Sequence, residues 1–489
     1  MAVDYDVVII GGSLAGRAAA AAAAQLRATV ALVEPLSRAE GGEEAGGELI
    51  PNSIHTLSYL GQLTNQLAST SQFGIHSNNT DSAKNYQSIN FDEAMQWATS
   101  VESNLEDQNS PAVLAALGVD FIQGHGQFEP QPRLAFAING RRLLARSYLI
   151  ATNSRPAIPD IEGLQNTGYL TPASVWQSLT QTPHRRWVIL GSDPTGCQLA
   201  QTLARLGLDV TLVVKRPHIL AKEDPEIAQL VQAILEAEGV RVLTSTTVTL
   251  VKEIENKKWI QAGDQAMEFD EILLCAGQQP DFADLNLEAV GVKLQRHRLL
   301  LNEKLQTTNH RIYACGDAIG GYQFANIANY EVNIALKNAL FFPVFKVDYR
   351  CIPWVIFSDP QMARVGLNQV QARRIYGHDV LVLRQHFKTL ATAQIKDEIT
   401  GVCKLIVRRN GRILGAAIVG SGAGELINVI ALAIAQRLKV DAIATCAPVY
   451  PSFSEILHSC AAQYQQSRLN SNPNLQNFIE GFFNFRRSY

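Results

Sequence analysis

No two of the seven cysteines stand in a C-x-x-C pair or at a metal-ligand spacing. Cys197, Cys275, Cys315, Cys351, Cys403, Cys446 and Cys460 are scattered, most of them in apolar runs. That pattern predicts buried, reduced thiols, as in a cytoplasmic chain, and no metal site. A surplus of cations is absent too. Lysine and arginine number 42 against 45 acids, a net charge of −3, so no nucleic-acid-binding surface is implied. No apolar run reaches the roughly 20 residues of a membrane span, and the alanine-rich run Ala18 to Ala24 is the expected false positive. The first strand begins near Asp4, which leaves no room for a signal or transit peptide.

What is present is organised around DYDVVIIGGSLAGRAAAAAAAQLRATVALVEP, Asp4 to Pro35. Val7 to Ile10 form a continuous apolar run, as in a parallel strand buried on both faces. Gly11, Gly12 and Gly16 make a tight turn, and the alanine run after them has high helix propensity and small side chains. Val30 to Val33 form a second strand, closed by Glu34. In a dinucleotide site the helix N-terminus takes the pyrophosphate and the acid takes the ribose hydroxyls. Ser13 replaces the middle glycine of the fingerprint. It is small, neutral and a hydroxyl donor, so phosphate binding is expected to survive. A unit of this kind that binds nothing is the alternative; strand, turn, helix and acid in register argue against it.

The length fits about three domains. Trp187 to Val214 repeat the opening pattern of strand, turn, helix and strand, which marks a second dinucleotide fold inserted after the first. Tyr148 to Pro156, YLIATNSRP, Glu271 to Pro280, EILLCAGQQP, and Arg311 to Gln323, RIYACGDAIGGYQ, punctuate the chain. After them come DYRCIPWVIFSDPQMARVGL and ILGAAIVGSGAGELIN. In this order the segments resemble the class I pyridine nucleotide-disulfide oxidoreductases: glutathione reductase, dihydrolipoamide dehydrogenase, mercuric reductase and soluble transhydrogenase. The resemblance runs from about Tyr5 to Cys460. It implies an α/β fold with two Rossmann-like domains, of FAD and NAD(P) type, and an α+β dimerisation domain. The boundaries expected are 1–160 and 281–345 for FAD, 161–280 for the nicotinamide-type domain, 346–464 for dimerisation, and 465–489 for an aromatic tail. It also implies bound FAD, held through Gly11, Gly12, Ser13, Gly16, Glu34, Gly316 and Asp317, and a homodimer.

The catalytic parts depart from the family pattern. The family's redox cysteines lie in G-G-T-C-L-N-V-G-C-I-P-S-K, and the matching segment is GGEEAGGELIPNS, Gly41 to Ser53. Ile50 and Pro51 anchor the register, so Glu44 and Leu49 take the two cysteine positions. No thiolate remains there to attack a disulfide. Glu44 is a candidate acid or base if buried; within Glu43, Glu44 and Glu48 it also reads as a solvated acidic loop, the commoner case. The family lysine is Ser53 and its glutamate partner is Gln198, so both halves of one ion pair are gone together. Losing one half alone would strand a buried charge at about 3–5 kcal/mol. The histidine base of H-P-T-x-S-E is Tyr450, while Glu455 remains; soluble transhydrogenase also has tyrosine there.

The second nucleotide turn is Gly191-Ser-Asp-Pro-Thr-Gly196, with Asp193 at the middle glycine and Pro194 where a gating tyrosine often stands. A carboxylate there caps the helix itself and repels an incoming pyrophosphate. Lys215 and Arg216 follow Val214 and are suited to a 2′-phosphate, so NADP use stays open; ordinary surface cations read equally well. Three functions fit: a FAD-dependent oxidoreductase fed by an electron-transfer protein such as ferredoxin, an NADPH diaphorase or transhydrogenase, and a non-enzymatic flavoprotein. Beyond a polar break at Asn470 to Asn474 the tail LQNFIEGFFNFRRSY carries Phe478, Phe482, Phe483 and Phe485. It is expected to fold back on its own dimer over the flavin face; packing on the dimer away from the flavin, another protein and a membrane surface are the alternatives.

Overall fold

The computed structural model describes residues 3–35, 51–73, 75, 89–106, 109–181, 185–321, 323–470 and 473–488. They form two compact units, one of 1–215 with 238–347 and the other of 216–237 with 348–489. In the first unit, Tyr5–Ile10 lies between Ala145–Ile150 and Val30–Glu34 in a five-stranded sheet. Ile312–Ala314 and Asp120–Gln123 are its edge strands, and every pairing is parallel. Alternate residues of the first strand serve two cores. Val7 and Ile9 pack with Ala19, Ala20 and Ala23 of the helix Leu14–Gln25. Val8 and Ile10 pack with Phe128, Phe136 and Tyr148 on the other face, next to an antiparallel meander of Gly126–Glu129, Ala135–Ile138 and Arg141–Leu143. The continuous apolar run is thus explained by burial on both faces.

The repeat forms a second parallel sheet in the order Arg241–Leu243, Asp209–Val213, Arg186–Leu190 and Glu271–Leu274. Its helix Pro194–Arg205 lies against the helix Pro51–Ser69, which follows the segment expected to carry the redox centre.

The second unit holds a five-stranded antiparallel sheet, ordered Trp354–Ile356, Met362–Gly366, Ile413–Val419, Val402–Arg408 and Val380–His386. The helices Ala423–Ala435 and Glu455–Asn470 share its core. Residues 216–237 belong to this compact unit and are tied into it by ion pairs. Glu223 pairs with Arg364 at 2.6 Å, and Lys404 reaches Asp224 and Glu226, each at 3.0 Å. The polar break expected at Asn470 to Asn474 is short: one helix ends at Asn470 and Pro473 opens the next, Pro473–Arg487, where proline is tolerated.

Candidate functional site

All strands of the first sheet run parallel, so their C-terminal ends lie on one edge of it. Gly11 to Gly16, Glu34, Thr152 to Ser154, and Gly316 with Asp317 all follow strand ends there. This edge includes the place where the connections leave the first strand in opposite directions, the usual ligand position in a doubly wound sheet. Gly11 has φ +119°, and a Cβ on it would strike the carbonyl of Ala151; a Cβ on Gly16 would strike the carbonyl of Gly11. Ser13 caps the helix: its hydroxyl accepts from the Gly16 N–H at 3.1 Å and donates to the Ala151 carbonyl at 2.6 Å. Glu34 is paired with Arg17 at 2.8 Å. Asp317 accepts from the Ser154 hydroxyl at 2.6 Å, and burial pushes its carboxyl above the ordinary range. The Gly316 N–H donates to Glu331 at 2.8 Å.

These residues fit FAD. The buried Thr152 hydroxyl has no partner among the described residues and lies in the segment beside the glycine turn. The capped helix N-terminus, walled by glycines, suits a pyrophosphate, Glu34 suits ribose hydroxyls, and Asp317 suits the ribityl chain.

The second turn has the same backbone and a different charge. Gly191 has φ +112° and sits against the Cys275 carbonyl. Asp193 caps the helix Pro194–Arg205, its Oδ1 accepting from the Gly196 N–H at 2.7 Å. The residue keeps some exposed surface, but loss of hydration around its carboxyl pushes the pKa up to about 6. Ser13 and Asp193 therefore occupy equivalent caps, one neutral and one ionisable. Lys215 and Arg216 are exposed beyond the strand Asp209–Val213. Gln278 has a buried amide oxygen without a partner among the described residues.

Two family models match, "Pyridine nucleotide-disulphide oxidoreductase" over residues 5–331 and its dimerisation domain over 352–461. The chain belongs to the pyridine nucleotide-disulphide oxidoreductase family. It is 31% identical to a mercuric reductase of Staphylococcus aureus, over 95% of this chain and 83% of that protein. It is 29% identical to a dihydrolipoyl dehydrogenase of Bacillus subtilis (strain 168), over 92% and 97%. Among solved structures, the HOCl-induced flavoprotein disulfide reductase RclA from Escherichia coli superposes with a TM-score of 0.78 at 25% identity, covering 94% of this chain and 99% of that one. The family binds FAD and builds homodimers, and this chain is an oxidoreductase of that fold with the family's dimerisation domain.

Glu44 and Leu49 lie outside the described residues, so their assignment rests on the sequence. Gln198 does not merely lose a charge. Its amide donates to the Ser58 hydroxyl at 2.8 Å and lies 3.2 Å from Nδ1 of His55, and the Thr202 hydroxyl donates to Ser58 at 3.0 Å. The Gln198 amide is within hydrogen-bond reach of the His55 ring, and burial favours the neutral imidazole. Sequence reasoning missed His55. Its spacing of three from Ser58, on a helix facing Gln198, was the available signal. Ser53 is tied down through its carbonyl, which accepts from the Trp176 indole at 3.1 Å.

Burial holds the His55 pKa below its ordinary value of 6.5. A histidine depressed in the folded state contributes stability above its unfolded pKa, and loses it as pH falls below about 6.5. Thermal unfolding followed at pH values on either side of 6.5 is expected to show this loss, and His55→Gln to flatten that part of the profile. Equal pH dependence in both proteins would show that His55 does not titrate between the two states.

In the second unit, Tyr450 is 74% exposed and Glu455 accepts from the Ser452 N–H at 2.8 Å. Glu455 is thus held by backbone at the start of its helix. Five of the seven thiols are buried, and burial raises the pKa of Cys197, Cys275 and Cys315, so these are poor nucleophiles. Among the described residues no group of three or more His, Cys, Asp or Glu is placed to hold a metal ion.

Proposed function

We propose that this chain is a FAD-dependent oxidoreductase that moves electrons without a protein dithiol. Its donor is an electron-transfer protein such as a ferredoxin, in preference to NAD(P)H. The observation that carries this reading is Asp193, whose carboxylate caps the helix where a second pyrophosphate would go. FAD, once bound, supplies two-electron and one-electron chemistry. The chain's own part is to hold it through the first glycine turn, Glu34 and Asp317, and to line the approach with neutral groups. Gln198, His55, Ser58 and Thr202 replace an ion pair there, so no fixed positive charge from that pair biases the site toward an anion. The test is an anaerobic titration of the purified flavoprotein with NADPH, NADH and reduced ferredoxin. Bleaching by ferredoxin alone is expected. Bleaching by NADPH would support the second reading, a diaphorase or transhydrogenase, which the exposed Lys215 and Arg216 favour. No bleaching by any donor would leave a non-enzymatic flavoprotein.

The same reading predicts no turnover of oxidised glutathione or lipoamide. Several relatives are named reductases, so the control is sharp: a disulfide reductase activity that disappears on replacing one particular cysteine would locate a redox centre elsewhere and end this proposal. Cys446, the one cysteine exposed in the structure, is the first to replace.

A further inference from the structure

The C-terminal helix Pro473–Arg487 is amphipathic, with its four phenylalanines exposed and Ile479 half-buried. At 100° per residue, Phe485, Phe478, Phe482, Ile479 and Phe483 fall on one continuous face spanning roughly 160°. Gln476, Asn477, Glu480 and Asn484 fall on the other. Phe478 is 70% exposed and Phe485 61%, while Phe482 and Phe483, in edge contact at 5.9 Å, are each about half exposed. The protomer therefore leaves this face to something else.

Charge identifies the occupant. Arg486 and Arg487 are exposed in the last turn, and Arg486 projects along the middle of the apolar face. A protein groove that accepted the phenylalanines would have to bury or pair that guanidinium. At a bilayer surface its long stem lies among apolar groups while the head reaches the phosphates. The combination recurs independently in the first unit. There Phe341, Phe342, Val344 and Phe345 are exposed, beside Lys337, whose ammonium lies 5.6 Å from the Phe345 ring. Buried Asn338 holds that loop, accepting from the Phe345 N–H at 3.0 Å and donating to the Phe345 carbonyl at 2.8 Å. A loop fixed by a buried amide while it presents aromatics to solvent is shaped for contact. No helix among the described residues is long and apolar enough to cross a membrane, so contact is at the surface.

We propose that helix Pro473–Arg487 lies in the interface of a bilayer carrying anionic lipid. The phenylalanines face the acyl chains and Arg486 and Arg487 face the headgroup phosphates. The proposal is independent of which donor reduces the flavin.

The experiment is flotation of the full-length FAD-loaded protein with vesicles of phosphatidylcholine alone, or of phosphatidylcholine with phosphatidylglycerol. Binding to the phosphatidylglycerol vesicles is expected, weakened by salt. The variant Phe478→Ser/Phe482→Ser/Phe485→Ser is expected to bind at least about tenfold less while keeping its flavin and its oligomeric state. Arg486→Gln/Arg487→Gln is expected to lose the preference for phosphatidylglycerol. Failure of the native protein to float with either vesicle overturns the proposal, as does unchanged binding by the triple serine variant. Dissociation of the dimer in that variant, or an altered flavin spectrum, overturns it in favour of a second copy or of the flavin site as occupant.

Discussion

Asp193→Gly is expected to raise affinity for NADP(H) by tenfold or more over the native protein, measured by calorimetry. The Asp193 carboxylate already accepts from the Gly196 N–H at 2.7 Å, one of the donors a pyrophosphate would need. A unit charge brought to about 4 Å from a like charge costs roughly 4 kcal/mol at an effective dielectric of 20, and each 1.4 kcal/mol is a factor of ten. Glycine removes the charge and the obstruction together, while exchanging this kind of cap for glycine costs only a few tenths of a kcal/mol. Asp193→Asn separates the two effects, because it keeps the cap and the bulk and discards the charge. A smaller gain than for glycine is expected. The titration of Asp193 gives a second handle. Its pKa of about 6 lies above the ordinary 3.8, so it contributes stability that is full at low pH and lost as pH rises through 6. Asp193→Asn should therefore stabilise the protein at pH 8 relative to the native chain, and show little advantage near pH 4. Tight NADPH binding by the native protein, unchanged in Asp193→Gly, would sink both this prediction and the proposed exclusion of nicotinamide nucleotides.

Much of the fold was legible because its signals are local. The run Val7 to Ile10, the glycine turn and Glu34 fall within thirty-odd residues, and their repeat at Trp187 to Val214 announced the second sheet. Ser13 was legible as a small, neutral hydroxyl in the turn, whereas its capping bond from the Gly16 N–H could be read only from the folded chain. What could not be read depends on pairs distant in sequence. Gln198 and His55 are 143 residues apart, so the resemblance marked Gln198 as a departure from the family pattern while its contact with His55 could not be read. Residues 216–237 were assigned by continuity to the nicotinamide-type domain. Their acids answer to cations more than a hundred residues later, which no local pattern reveals. The tail's aromatic spacing was legible as a helix face, whereas its exposure could be known only from the folded chain.

Those distant pairs carry the other large effect: Lys404→Met is expected to destabilise the second unit by about 3 kcal/mol, seen as an early thermal transition. Lys404 is 1% exposed and places its ammonium 3.0 Å from both Asp224 and Glu226. The two acids differ in their need for it. Glu226 is well exposed and is also held by Arg384 at 2.8 Å, which, with Lys404, keeps its pKa near 2. Exposed pairs of that kind contribute at most about 1 kcal/mol. Asp224 is buried, and among the described residues its remaining donor is the Gln369 backbone N–H, 3.1 Å from each carboxylate oxygen. Without Lys404 a buried carboxylate is left with hydrogen bonds and no countercharge, and this is where the loss arises. Adding Asp224→Asn to Lys404→Met should therefore recover much of it, since the amide removes the stranded charge and keeps an oxygen for the Gln369 N–H. Glu226→Gln added to Lys404→Met should recover little. Equal recovery by the two second substitutions would mean that the stabilisation is shared across the cluster rather than centred on Asp224.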